Sequence, residues 1–356
     1  MPRSPFISVV VPAFNAADTI EGTLSSILSQ TGADFEVIVI DDCSSDDTLD
    51  VLGAIQKAHA IQVIKNSENL GHGGTRNRGI DAASGKYIVF VDADDQLIPG
   101  SLEAIQRKLE NTLPELLLIG VDEFKRNRQR ALTDRKLSKK LQRPSTFAAE
   151  DAPVALFWPT ATWSKVYKKG FLARENMRFP DGFHQDIPWS ALTTLKAKTI
   201  ATLPRPCYLY VRRGANSSTT NQKTPRTLVR VQQVRRIREA VDFKGISGKL
   251  ASHLFALASI HLLWGNKAAY RTIPEALQED FFHDSARELT EWQQLAQSSW
   301  LVRSDGLFPT RERIQLANVL LKDNWEEWKR ALARQRRLLK LRNYLNPKRW
   351  DLFKRS

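Results

Sequence analysis

Only two cysteines, Cys43 and Cys207, occur in the 356 residues. They stand far apart, in no CxxC and in no spacing that suits a metal, which argues against a disulfide scaffold and a zinc site. Long hydrophobic runs are missing too. The first run, Phe6 to Val11, is too short for the core of a signal peptide, and no later stretch reaches the roughly 18 apolar residues that a membrane span needs. A cytoplasmic protein is therefore expected. Acidic residues are the minority: 39 Asp and Glu face 53 Lys and Arg, for a net charge of +14. Such a balance suits a polyanion or an anionic membrane surface. There is no RRM, KH or helix-turn-helix signature, so a nucleic-acid partner is not expected. No internal repeat is present. What the chain does have is 42% hydrophobic and 26% charged residues, enough for a sizeable core and, at this length, for two domains.

The first half alternates short apolar runs with helical patterns. FISVVV (Phe6–Val11), FEVIVI (Phe35–Ile40), Ile61–Lys65, YIVFV (Tyr87–Val91) and ELLLIG (Glu115–Gly120) read as strands. Helices are expected from the Asp18–Glu21 capping box to about Gln30, from Ser45 or Asp46 to about His59, from the GHGG turn to about Ala83, and over Gly100–Glu110. Continuous apolar strands alternating with helices give a mostly parallel α/β sheet covered on both faces. Ligands bind such sheets at the carboxyl ends of the strands. Those ends carry Pro12-Ala13-Phe14, Asp41-Asp42, Asn69-Leu70-Gly71 and Asp92-Ala93-Asp94-Asp95. Carboxylates gathered at one edge repel each other unless a cation relieves them. An Asp-x-Asp loop after a strand suits Mg²⁺ or Mn²⁺ shared with a diphosphate, because magnesium typically takes one or two carboxylates and leaves the rest to phosphates.

Four segments, ISVVVPAFNAADTIEGTLSSILSQ, FEVIVIDDCSSDDT, NLGHGGTRNRGI and GKYIVFVDADD, together resemble a family 2 glycosyltransferase of the GT-A (Rossmann-like) fold. That family is inverting, uses nucleotide sugars and builds bacterial surface polysaccharide. The resemblance spans about Ile7 to Thr220. It implies that Pro12, Ala13 and Phe14 line a base pocket and that Asp42 accepts a hydrogen bond from the base, expected to be uracil. It implies that Arg76 lies beside base and diphosphate, that Asp92 and Ala93 face ribose and sugar, and that Asp94, with Asp92, holds Mn²⁺ or Mg²⁺. TWSKVYKKGFL, with Trp163, and GFHQDIPWS, with His184 and Gln185, resemble the acceptor half. There Asp186 matches the catalytic base, while Gln185 replaces the family's usual Glu. CYLYVRRGANSSTT resembles a segment that closes over the diphosphate, with Arg212, Arg213 and Ser217 as contacts.

The partners so implied are a nucleotide-sugar donor, probed first as a UDP-sugar, and a glycan or lipid-linked acceptor. Two other readings compete: a nucleic-acid binder using the basic end, and an inactive scaffold subunit. The domains expected are a catalytic one over 1–222 and a mainly helical region over 223–356. The basic stretch Lys125–Arg143 is expected as a surface loop. The last 33 residues hold 11 Lys and Arg against 3 Asp and Glu. In them Trp328, Leu332 and later Trp350, Leu352 and Phe353 are interleaved with base, which suits peripheral attachment to the inner face of a membrane. The alternative is a helix packed on the catalytic domain through its Trp and Leu face, and the helical tail could also pair copies as a homo-oligomer.

Overall fold

The computed structural model describes residues 4–125, 128–143, 145–212, 228–296 and 311–344. The strands are β1 (Ile7–Ala13), β2 (Phe35–Asp41), β3 (Gln62–Lys65), β4 (Tyr87–Phe90), β5 (Gln96–Leu97), β6 (Leu116–Lys125), β7 (Arg128–Ala131), β8 (Lys165–Lys168) and β9 (Ile200–Val211). The helices are α1 (Ile20–Leu28), α2 (Thr48–Ala58), α3 (Gly71–Ala82), α4 (Ser101–Thr112), α5 (Arg135–Leu141), α6 (Lys169–Arg174), α7 (Asp186–Lys196), α8 (Val229–Glu239), α9 (Gly248–Thr272), α10 (Glu275–Ala296), α11 (Arg311–Leu321) and α12 (Trp325–Tyr344). The described residues divide into two compact units, and the division is not at one point of the chain. One is Met1–Gln222 with Gln233–His253, the other Lys223–Gln232 with Leu254–Ser356.

In the first unit one sheet runs β3-β2-β1-β4-β8-β6-β9-β5, with β7 paired to β6 off that path. β1 to β4 are parallel; β8 is antiparallel to both β4 and β6, and β9 is parallel to β6. β6 and β9 therefore point the same way as β1 to β4. The apolar runs are continuous because both faces are covered. Side chains alternate along a strand. Val9, Val11, Val37, Val39, Tyr87 and Val89 pack against Ile20, Leu24 and Ile27 of α1 and Leu102, Ile105 and Leu109 of α4. Each such burial contributes about 1.5–3 kcal/mol. The other face carries Phe90, whose ring meets Tyr167 at 5.9 Å and Phe179 at 5.6 Å. Trp189 of α7 stacks on Phe179 at 3.7 Å and meets Tyr167 at 5.4 Å.

α3 reaches this face through a glycine. A Cβ at Gly79 would overlap the Val10 side chain, which is itself fully buried. Gly79→Ala is expected to destabilise the protein by about 1–3 kcal/mol by overpacking, read as a lower urea midpoint with an unchanged slope.

Three local expectations are corrected. Asp18 does not cap α1. Thr19 occupies the cap position without a side-chain cap bond, and the hydroxyls of Thr19 and Thr23 donate to Ala93 O at 2.8 and 2.9 Å. A tertiary acceptor has outcompeted the local one. ELLLIG is only the start of β6, which continues to Lys125. The basic stretch after it folds back as β7 and α5 instead of staying a loop, with Asp134 Oδ1 accepting from Leu137 N at 2.9 Å to cap α5.

The second unit is helical. Phe282 of α10 contacts Trp325 and Trp328 of α12 at 5.4 and 5.6 Å, and Trp328 and Leu332 are buried. Trp328 and Leu332 are thus used inside this unit. Trp350, Leu352 and Phe353 lie outside the described residues. Among the described residues no helix is long and apolar enough to cross a membrane.

Candidate active site

The carboxyl ends of β1, β2, β4, β6 and β9 meet at one sheet edge. Because β8 runs the other way, its start joins them, bringing Trp163 and Lys165 to the same edge as Asp42 and the Asp92–Asp95 loop.

At the β1–β2 end, Pro12 and Ala13 are buried and Phe14 is 50% exposed. Asp42 is 3% exposed, and its N–H donates to Ala13 O at 2.8 Å. Its Oδ1 accepts from Asn66 Nδ2 at 2.7 Å and Leu70 N at 2.8 Å, and its carbonyl accepts from Asn69 Nδ2. Arg78 in turn donates to Asn66 Oδ1 at 2.8 Å. One oxygen of Asp42 is fixed by these bonds. The other accepts none from the described residues.

The acidic loop is fixed differently at each residue. Ala93 is buried and held through its carbonyl by α1. Asp92 Oδ1 accepts from Arg76 Nη2 at 2.7 Å, a pair whose Arg side chain is 6% and Asp side chain 29% exposed. Asp94 is exposed. Asp95 is buried and does not cap α4. Tyr208 donates to its Oδ2 at 2.6 Å and Val211 N to its Oδ1 at 2.8 Å, so it pins β9 to the loop. Burial, then the charges of Asp92 and Asp94, push its carboxyl up to about 8. Among the described residues no three His, Cys, Asp or Glu side chains form a metal cage. The donor set of Asp94 and the second oxygen of Asp92 fits a hard cation that completes its shell with phosphate and water.

The segment before α7 turns through two left-handed residues, Gly182 (φ 89°) and His184 (φ 61°), and is held from several sides. A Cβ on Gly73 would lie 2.7 Å from Pro180 O, so α3 touches it directly. Asn77 exchanges hydrogen bonds with the Phe179 backbone at 3.0 and 2.8 Å. Gln233 donates to Asp181 O and Phe183 O, each at 3.0 Å. Gln185 is buried. With its amide assigned to suit its neighbours, it donates to Gly182 O and accepts from Arg76 Nη1, both at 3.0 Å. A glutamate could not donate to that carbonyl. Arg76 is 5% exposed, lies 5.7 Å over the Phe179 ring and is shared between Asp92 and Gln185. Asp186 is the first residue of α7, where the helix N-terminus favours negative charge.

Sequence reasoning did not assign three further groups. His72, in the first turn of α3, is held below its ordinary value by the protein around its ring and by Arg76, against the pull of Asp92, Asp42 and Asp186. Lys165 is fully buried under the site. Glu123, 2% exposed, bonds Arg130 and, at 3.3 Å, Arg212. Burial pushes Glu123 up, but those two cations outweigh it and hold the carboxyl below its ordinary value. Trp163 is 7% exposed and stacks on Tyr208 at 4.4 Å. Arg212 N donates to Phe124 O at 2.9 Å, which leaves its half-exposed side chain at the edge. Arg213 and Ser217 lie outside the described residues.

Residues 8–167 match the family described as Glycosyl transferase family 2. The chain is 33% identical over 182 residues to the GalNAc(5)-diNAcBac-PP-undecaprenol beta-1,3-glucosyltransferase of Campylobacter jejuni, covering 51% of this chain and 56% of the relative. The chain spans about half the length of the curated relatives it matches. Among solved structures, S. aureus TarS 1-349 in complex with UDP-GlcNAc superposes with a TM-score of 0.70 at 17% identity, over 93% of this chain and 92% of that one. The mannosyltransferase PcManGT from Pyrobaculum calidifontis, in complex with GDP-Man and Mn²⁺, gives 0.53 at 17% identity, over 91% and 88%. At these identities the likeness shows the fold alone. Residues 8–167, on the GT-A sheet, therefore carry the match to glycosyl transferase family 2.

Proposed function

We propose that the protein is an inverting glycosyltransferase that moves a sugar from a UDP-sugar to a hydroxyl of a glycan or lipid-linked acceptor in bacterial surface-polysaccharide synthesis. The observation that carries this is the convergence at one sheet edge of Asp42, the Asp92–Asp94 loop and the tethered N-terminus of α7. The names of similar proteins support it: one is an undecaprenol-linked glucosyltransferase and one fold neighbour holds UDP-GlcNAc.

In this reading the base lies against Pro12, Ala13 and Phe14, and the second Asp42 oxygen accepts the uracil N3–H. A base without that donor leaves a nearly buried carboxylate unpaired, a costly mismatch. Arg76 keeps Asp92 oriented toward ribose and sugar. Asp94 and Asp92 would hold Mn²⁺ or Mg²⁺, which supplies charge neutralisation for the departing diphosphate. Arg212, with Arg213 and Ser217, would add contacts to that diphosphate. Trp163, His184 and Gln185 shape the acceptor side. Asp186 takes the proton of the acceptor hydroxyl as its oxygen attacks the anomeric carbon, and UDP leaves from the opposite face. One displacement inverts the configuration. An anionic membrane surface, as a further partner, would meet the basic residues of α12 and not Trp328 or Leu332, which are already buried.

The test is UDP release from a panel of UDP-sugars, with GDP-mannose as control, in Mn²⁺ or in EDTA. Release from one UDP-sugar, at least tenfold above the others and abolished by EDTA, is the expected result. Release from no nucleotide sugar, with no nucleotide binding by calorimetry, would overturn the reading.

A further inference from the structure

We infer that Glu123 is a positioning residue: its buried carboxylate, on β6, holds the guanidinium of Arg212 beside the Asp92–Asp95 loop, set for the donor's diphosphate. The inference rests on the functional reading above, which gives Arg212 that contact.

The placement follows from strand register. Glu123 stands opposite Arg130 of β7 on one side and opposite Tyr210 of β9 on the other. Residues two apart on a strand share a face, so Arg212 lies on the face of Tyr210 and Glu123. Three neighbouring strands thus carry Arg130, Glu123 and Arg212 in one row. Arg130 Nε donates to Glu123 Oε2, and Arg212 Nη1 donates to Glu123 Oε1 at 3.3 Å. The backbone under Arg212 is fixed on both flanks. Its N–H donates to Phe124 O at 2.9 Å, and the N–H of Val211 before it donates to Asp95 Oδ1 at 2.8 Å. That second bond ties the end of β9 to the loop that carries Asp94.

A carboxylate that is 2% exposed is costly unless it is paired. Arg130 alone would meet that need, because it takes one oxygen and cancels the charge. The second oxygen and the second cation go further. One carboxylate between two guanidiniums leaves a positive surplus, and the half-exposed Arg212 carries it to the sheet's edge. A guanidinium has five N–H groups in a rigid fork. With Nη1 committed to Glu123, the fork is oriented before a ligand arrives, and its remaining N–H groups can meet phosphate oxygens in pairs. An unanchored arginine would instead lose its rotamer freedom at the moment of binding.

Charge and position act in opposite directions here. The Glu123 charge by itself repels a diphosphate, so a variant that deletes the charge would mix two effects. Glu123→Asp separates them. It keeps the charge and withdraws the carboxylate by one methylene, out of hydrogen-bond range of Arg212.

The experiment has two arms. In the first, binding of UDP and of uridine, both in Mn²⁺, is measured by calorimetry on wild type, Glu123→Asp, Arg212→Met and the double variant. Glu123→Asp is expected to weaken UDP about fivefold, the cost of ordering one long side chain, and to leave uridine unchanged. In the Arg212→Met background the same change is expected to do nothing further, because its partner is gone. Equal losses for UDP and uridine, a loss that persists without Arg212, or no loss would each leave Glu123 a brace between strands and overturn the inference. The second arm uses wild type, in case Glu123→Asp does not fold. Arginine side chains are labelled with ¹⁵N, the Arg212 Nε signal is identified by its absence in Arg212→Met, and its order parameter is measured without ligand. A value of about 0.6 or more, marking a guanidinium already held, is expected; a lower value overturns the inference. If wild type binds no UDP, the functional reading fails and the diphosphate role with it, while the order parameter still decides the pairing.

Discussion

Asp186→Asn is expected to lower kcat about a thousandfold while leaving the folded protein and donor binding intact. Proton transfer by a positioned side chain contributes roughly 10²–10⁴ in rate. Asparagine keeps the size and the start of α7 but cannot take a proton. The segment it sits in is held by Asn77, Gln233, Gln185 and the close approach of Gly73, so the change removes chemistry without releasing the loop. Calorimetric UDP affinity within about twofold of wild type, alongside the lost turnover, is the expected pattern. Turnover within a factor of ten of wild type would move the base elsewhere, with His72 the next group to examine.

Asp94→Ala is expected to cost at least a hundredfold in kcat and to abolish the response to Mn²⁺. Removing the exposed carboxylate leaves only the second oxygen of Asp92, whose first is committed to Arg76 at 2.7 Å. Stabilisation of a leaving diphosphate by a cation contributes several kcal/mol. The substitution leaves in place the loop bonds at Ala93 O and at Asp95. A melting temperature unchanged by the substitution, measured without metal, separates the two contributions. If Asp94→Ala keeps its rate and its Mn²⁺ response, the cation is held without Asp94.

Much of this was legible in the sequence, for a physical reason. A parallel strand buried on both faces is a continuous apolar run, so β1, β2 and β4 announce themselves, and their carboxyl ends follow by counting. The residues at those ends are indeed neighbours. β7 could not be read: RQRA has no apolar side, and it is a strand only because β6 offers it an edge. β9 contains Pro204 and Pro206, which weaken a strand reading, and its register against β6 shifts on both sides of Gly120 to accommodate them. Asp95 looked like its neighbours in sequence, yet burial against Tyr208 makes it a structural pin while Asp94 faces water. Nothing in the order of residues marks Glu123 as the anchor of Arg212, because that contact spans 89 positions. Lys165 was visible as a letter in TWSKVYKK, but its setting depends on β8 running backward. The family match also ends at 167, before the helix that carries Asp186.

The margins of the sheet bear on how the protein behaves at high concentration. Open strand edges recruit other chains, and short or charged edges discourage this. Here one margin is β3, four residues long with Lys65 at its end, and the far margin is β5, two residues long. The off-path strand β7 carries Arg128 and Arg130 with every residue exposed. Copies meeting edge to edge would find little backbone to share and like charges opposed. The β3 and β7 edges are thus poor templates for pairing with another copy.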